Sequence, residues 1–308
     1  MKIAILGDVH YAENVTSRLD LFYQTVLDKL DEVFSKFDVA VCVGDLMNAP
    51  TTSMESGLAL FSRLSNYKRQ GKRFITILGN HDVYNDREDT IGRTFVGLLE
   101  KYGVIEVLKP HEPIEIDNLL FHSLYIDNDK AREEIKNFPK KLDKNNIIIS
   151  HNYFECEYDG LNRNDFDGLD VKIFFGHEHK PLKHFDRFYR CGALTRTTAN
   201  DYNTCRMPYY YVIDSMTSDV EAETVDCAKN PEDVYRKDKL ERQNLAVKHF
   251  EESVHDTTLM TMEKVLDNYS GSINSETTIK QALLELQAPE YALARIKSKY
   301  VMLGEKFE

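Results

Sequence analysis

Four times in this chain an apolar run ends in glycine and is followed at once by side chains that bind metals. Met1–Leu6 reads as a buried strand and leads into Gly7-Asp8-Val9-His10. Val39–Val43 leads into Gly44-Asp45, Arg73–Leu78 into Gly79-Asn80-His81-Asp82, and Val171–Phe175 into Gly176-His177-Glu178-His179. A further strand, Asn146–Ile149, ends in Ser150-His151-Asn152. Side chains alternate along an extended segment, so Asp8 and His10 point the same way. Glycine lets the chain turn without a Cβ in the way. Each motif alone has an ordinary explanation: polar surface, turn chemistry at Asn-His, a helix N-cap at Asp45. Their repetition just past strand after strand is what constrains the fold.

The sequence between the motifs supplies helices. Apolar spacings of three and four predict a helix over Arg18–Lys36, with Leu19, Leu21, Phe22, Val26, Leu27, Leu30 and Val33 inward. A second is expected over Ser53–Lys68, with Leu58, Leu60, Phe61 and Leu64 inward. This βαβαβ rhythm implies parallel strands covered by helices. Ligands of such sheets sit at the carboxyl ends of the strands, where the motifs fall. Beyond lie a helix at Gly92–Tyr102, strands at Val107–Leu108, Ile114–Ile116 and Leu119–Leu124, and a helix at Asp129–Asn137. Phe185–Cys191 and Tyr209–Ile213 are expected to close a second sheet. The expected class is α/β: two sheets face to face with helices outside, a four-layer sandwich. After about Asp226 the strand pattern stops, and helices are expected over Glu232–His249, Leu259–Asn268 and Thr277–Tyr300. The expected domains are therefore 1–225, carrying the motifs, and 226–308, a helical cap or partner-docking segment.

Composition narrows the functional classes. At 42% hydrophobic and 29% charged, 308 residues can pack a core. No apolar run approaches the roughly 20 residues that span a bilayer. The few apolar residues before Asp8 do not make a signal peptide. Five cysteines, odd in number and without C-x-x-C spacing, read as reduced thiols in a cytoplasmic protein. The net charge of -12 argues against a general electrostatic grip on nucleic acid. Local positive charge remains: Lys180, Lys183, Arg196 and Arg206 follow the last motif as candidate phosphate contacts. Tyr209, Tyr210 and Tyr211 either stack bases or fill a core strand.

The candidate ligands are Asp8, His10, Asp45, Asn80, His151, His177 and His179. Imidazole, carboxylate and amide donors without thiolate suit Mn²⁺, Fe²⁺ or Zn²⁺ better than an all-oxygen Ca²⁺ or Mg²⁺ cage. The set is too large for one ion. Two ions roughly 3.5–4 Å apart, sharing one carboxylate, fit it.

Together these motifs resemble the calcineurin-like metallophosphoesterase superfamily, over roughly residues 1–215. The resemblance implies that Asp8, His10, Asp45 and His179 hold a first metal. Asp45, Asn80, His151 and His177 would hold a second, Asp45 bridging, with Mn²⁺ the expected ion. His81 would then be no ligand; it would stabilise the transition state or protonate the leaving oxygen, steered by Asp82. Leu46-Met47-Asn48-Ala49-Pro50 after Gly44-Asp45 departs from the Gly-Asp-x-Val-Asp-Arg-Gly of protein serine/threonine phosphatases. This short form, with Tyr189–Arg196 and Pro208–Asp214, is similar to the SbcD-type double-strand-break repair nucleases and the related phage recombination endonuclease subunits. Those usually carry Asp where this chain has Asn48. That branch implies a DNA exonuclease and single-strand endonuclease of recombination and repair. It also implies an SMC-type coiled-coil ATPase partner (SbcC-like) docked on the helices after about Pro231, with room for a homodimer. One other reading stays open: a phosphoesterase for nucleotides, other small phosphoesters or phosphoproteins, which the acidic charge favours; a scaffold with a vestigial site is disfavoured by the complete ligand set.

Overall fold

A computed structural model of the chain describes residues 1–139, 145–155, 160–180, 186–199, 203–204 and 206–235. The chain divides into two compact units, Met1–Gln243 and Asn244–Glu308, and every described residue lies in the first. That unit extends past the boundary expected after residue 225: Val234 and Tyr235 are buried within it.

Two sheets form the frame. In the first, β1 (Lys2–Leu6), β2 (Val39–Cys42), β3 (Arg73–Thr76) and β4 (Glu106–Val107) run parallel in that spatial order. The antiparallel hairpin of β10 (Tyr209–Asp214) and β11 (Val220–Thr224) extends the sheet beyond β1. The second sheet orders β5 (Ile114–Ile116), β6 (Leu119–Ser123), β7 (Asn145–Ser150), β8 (Lys172–Phe175) and β9 (Phe188–Arg190). Only the β5–β6 pair is antiparallel there. The strands read as unbroken apolar runs because both faces are covered. In β1, Ile3 and Ile5 face the second sheet, in a core shared with Val41, Ile75, Phe121, Ile149 and Phe174. Ala4 and Leu6 face the opposite core, under α1 (Phe22–Lys36) and α2 (Met54–Arg69). A third core lies between the outer face of the second sheet and α4 (Asn128–Asn137). Between these last two helices in the chain lies α3 (Phe95–Lys101). The four-layer sandwich expected from the sequence is what forms.

Several expectations are corrected. Tyr209–Ile213 does not close the second sheet; it pairs antiparallel with β1, Lys2 facing Asp214 and Ile5 facing Tyr211. Of the two readings of the tyrosines, core strand holds for Tyr210 and Tyr211, which are buried. The first helix starts at Phe22 rather than Arg18, because Arg18 bridges to Tyr235 and forks onto Asp20 while the Leu19 amide donates to the Val234 carbonyl. Leu19 and Leu21 are consequently exposed, as is Leu58 in α2. The expected helix over Gly92–Tyr102 is two pieces. A 3-10 helix, Glu88–Arg93, stops at Thr94, whose hydroxyl accepts from the Gly97 amide and caps α3. Where a helix is expected from Glu232, the described residues form one turn, Pro231–Val234, followed by extended Tyr235. The rest of it, the two helices beyond, and Lys183 lie outside the described residues. Among the described residues Cys42, Cys191 and Cys227 are free thiols, and no helix is long and apolar enough to cross a membrane.

Candidate metal centre

All the motifs open at the carboxyl ends of β1, β2, β3, β7 and β8, and the sandwich brings those ends to one rim. Asp8, His10, Asp45 and His151 form a buried floor; Asn80, His81, His177 and His179 are half-buried at the mouth. The loops after β1 and β2 are joined by backbone bonds, the Val9 and His10 amides both donating to the Asp45 carbonyl at 3.0 and 2.8 Å. Glycine is required here by close approach more than by turning. A Cβ on Gly79 would lie 2.1 Å from Asp45 Oδ1, and one on Gly176 would lie 2.6 Å from Asp8 Oδ1. Three rim residues sit in the left-handed region that non-glycine residues rarely adopt: His10 (φ 49°), Asp45 (φ 49°) and His177 (φ 71°).

The donors fall into three overlapping groups: Asp8, His10 and His179; Asp45, His151 and His177; and His10, Asp45 and His81. In each, the ligand atoms lie within 4.8 Å of one another. Asp45 is common to two of them. Its Oδ2 is 3.6 Å from His10 Nε2 and 3.2 Å from His151 Nε2. Asn80 Oδ1 lies 3.0 Å from His177 Nδ1 and 3.3 Å from His151 Nε2. His10 Nε2 and His179 Nε2 are 2.7 Å apart.

These contacts fit cations. His151 Nδ1 faces the Val43 carbonyl at 2.8 Å, and a carbonyl only accepts, so Nδ1 carries the hydrogen. In the neutral ring, Nε2 then presents a lone pair to Asp45 and Asn80, both acceptors. Fixing the tautomer through a backbone carbonyl is how metal-binding histidines are commonly oriented. Asp8 Oδ2 and His10 Nδ1 are buried with no hydrogen-bond partner, a costly state for polar atoms. Burial pushes His10 down to about 3, and His177 and His179 each to about 4, so all three rings are neutral donors at pH 7. Burial pushes Asp8 up to about 8, with the charge of Asp45 adding to it. Burial also opposes charge on Asp45, but His151 and His10 hold its carboxyl below the ordinary range. Against burial, the Asp45 carboxylate pushes His151 up to about 10. Two acidic side chains and crowded lone pairs at one point have the donor chemistry of a site for divalent ions.

His81 and Asp82 part company. The His81 amide donates to Asp45 Oδ1 at 2.9 Å, and its Nδ1–H donates to the Asn48 carbonyl at 2.9 Å. Its ring is therefore oriented by main chain, not by Asp82 as expected. Asp82 is fully buried and accepts from the amides of Leu46 (3.2 Å), Met47 (2.8 Å) and Gly79 (3.0 Å). It fastens the Asp45 loop to the Asn80 loop. Burial and Asp45 push its carboxyl up to about 7.

The expected phosphate contacts differ too. Arg196 is 1% exposed and donates to the carbonyls of Arg206 and Lys229. Arg206 donates to the carbonyls of Ala193 (2.7 Å) and Thr195 (2.6 Å) and to Asn203 Oδ1 (2.9 Å). Both guanidiniums hold the segment beside the rim, where the Ala193 amide donates to the His179 carbonyl and the Leu194 amide to that of Asp8. Lys180 is exposed. The carbonyls of Val43 and Asn48 escape sequence reading altogether, since any residue type supplies one.

A family model described as calcineurin-like phosphoesterase matches residues 1–181. No curated protein matches the chain. The crystal structure of TT1561 of Thermus thermophilus is 12% identical, with a TM-score of 0.44 over 73% of this chain and 98% of that one. A second crystal structure is also 12% identical, with a TM-score of 0.44 over 73% of this chain and 99% of that one.

Proposed function

The chain belongs to the calcineurin-like phosphoesterase family, whose members are metal-dependent hydrolases, and from that premise we propose that it is a two-metal phosphodiesterase that cuts DNA. The observation that carries a two-metal reading is the carboxylate of Asp45, whose Oδ2 faces His10 at 3.6 Å on one side and His151 at 3.2 Å on the other. When bound, two divalent cations lower the pKa of a water and neutralise charge on a phosphate. Mn²⁺ is the ion proposed for them. Asp8, His10, Asp45 and His179 would hold one; Asp45, Asn80, His151 and His177 the other. His81, with Nδ1–H bonded to the Asn48 carbonyl, has only Nε2 left to serve substrate. In its cationic form that atom donates a proton to the leaving oxygen.

The inward turn of Arg196 and Arg206 supports a diester substrate. A phosphomonoester carries a second negative charge that guanidinium groups commonly meet. These two are engaged on main-chain carbonyls, so a singly charged diester is the better match as far as Arg196 and Arg206 are concerned. The choice of DNA rests on the resemblance to SbcD-type nucleases, as does partnership with an SMC-type ATPase through the residues after 231. If their removal leaves affinity for that ATPase intact, the partnership fails.

The deciding assay offers the purified chain, with Mn²⁺, labelled duplex and single-stranded DNA beside bis(p-nitrophenyl) phosphate and p-nitrophenyl phosphate. Cleavage of DNA and of the diester is expected, with the monoester far slower. Rapid hydrolysis of a small ester beside intact DNA would replace the nuclease with a small-molecule phosphoesterase, the reading that the net charge of -12 favours.

A further inference from the structure

One guanidinium reaches both loops of the second sheet that carry rim histidines. Arg190 ends β9 beside Phe175, the last residue of β8, and is 7% exposed. Its Nη1 forms an ion pair with Glu178 Oε2, and its Nη2 donates to the Phe154 carbonyl. Glu178 stands between His177 and His179 in the turn after β8, and its carboxylate meets Arg190 rather than the rim donors. Phe154 follows His151 by three residues, and its ring stacks on Phe175 (4.1 Å) and Phe188 (5.0 Å). Arg190 therefore ties the His151 loop to the His177 loop from behind. His179 has an anchor of its own, since its carbonyl accepts from the Ala193 amide.

We propose that Arg190, through Glu178 and the Phe154 carbonyl, is a positioning residue that sets the affinity of the second cation site, the one built from Asp45, Asn80, His151 and His177. The proposal rests on the two-metal reading above and goes beyond it. The asymmetry follows from the anchors. Beyond the Gly176 amide on the Ser150 carbonyl (2.9 Å), where the two strands end, the Arg190 fork is a side-chain tie between the His151 and His177 loops. By contrast, His10 and Asp45 are joined by backbone bonds between loops of the first sheet, and Asp8 is held by backbone bonds to Gly192 and Leu194. A planar fork suits two acceptors in different loops; an ammonium meets them as a point charge without that geometry.

The test is calorimetric titration of metal-free protein with Mn²⁺, which needs no substrate. Wild type is expected to bind two ions. Arg190→Met should weaken the second by roughly 10–100-fold, the usual effect of removing an outer partner of a metal ligand, and leave the first unchanged. Arg190→Lys should fall between them. Glu178→Ala, which removes one arm at a partly exposed position, should also weaken only the second, and it carries the test if Arg190→Met does not fold. Melting in chelator checks that each variant folds. Equal weakening of both sites would show general loosening and overturn the proposal, as would variants that titrate like wild type. A wild type that binds fewer than two ions would sink the two-metal reading itself, an outcome distinct from failure of the clamp.

Discussion

Asp45 divides its carboxylate between two tasks. Oδ1 accepts from the His81 amide, and Oδ2 faces His10 and His151. The residue at the centre of the rim is thus also the one that places His81, the proposed proton donor. His81→Ala removes the donor without touching a proposed ligand. It should lower kcat by roughly 100- to 10,000-fold while metal content, measured by elemental analysis, stays at the wild-type value. A parallel loss of metal would make His81 a ligand instead. The pH dependence of loading has a definite sign. Without metal, Asp8 keeps its proton up to about pH 8 and His151 up to about pH 10. A bound cation requires both atoms deprotonated. Loading at pH 7 must therefore release protons, and apparent affinity must rise as pH increases toward 8. Titration heats in two buffers of different ionisation enthalpy measure the release; identical heats would contradict it.

At the scale of the element, each strand ends in a loop, and the loops are fastened to one another. Asp82 gathers three amides from two loops in one buried carboxylate. Replacing it with Ala would leave those donors unpaired at about 1–3 kcal/mol each. Asp82→Ala should therefore lose at least about 3 kcal/mol in urea denaturation, and Asp82→Asn, which keeps an acceptor oxygen, should lose less. A change within error would mean that water reaches those amides. The glycines were legible as punctuation after strands, but their reason was not. Gly79 is small because Asp45 lies against it, a neighbour 34 positions away that no local pattern contains.

For the molecule as a whole, the rim is a seam between two sheets. Asp8, His10, Asp45 and Asn80 come from the first; His151, His177 and His179 come from the second. Apolar packing of Ile3, Ile5, Val41, Ile147, Ile149 and Phe174 is what brings them together. Cations bound there would cross-link the sheets and so stabilise the folded state by mass action, about 2.7 kcal/mol per site at one hundred times Kd. The melting temperature should rise with Mn²⁺ and fall back with chelator. A melting temperature indifferent to both would mean that the rim binds no ion tightly in the folded protein.

The sequence alone determined most of the strands, though it missed β11, together with the parallel run of β1, β2 and β3, the four layers and the positions whose side chains meet at the rim. These follow from local periodicity and from the rule that ligands lie past the carboxyl ends of parallel strands. It also suggested Arg196 and Arg206 as phosphate contacts and Asp82 as the partner of His81, because charge near a motif is all that a linear reading can weigh. Only the tertiary structure showed those guanidiniums turned onto carbonyls, Asp82 bound to amides, and β10 returned to the open edge of β1. The physical reason is the same in each case. A buried polar group takes whichever partner the packed chain brings within reach, and that partner is set by contacts between segments that the sequence keeps far apart.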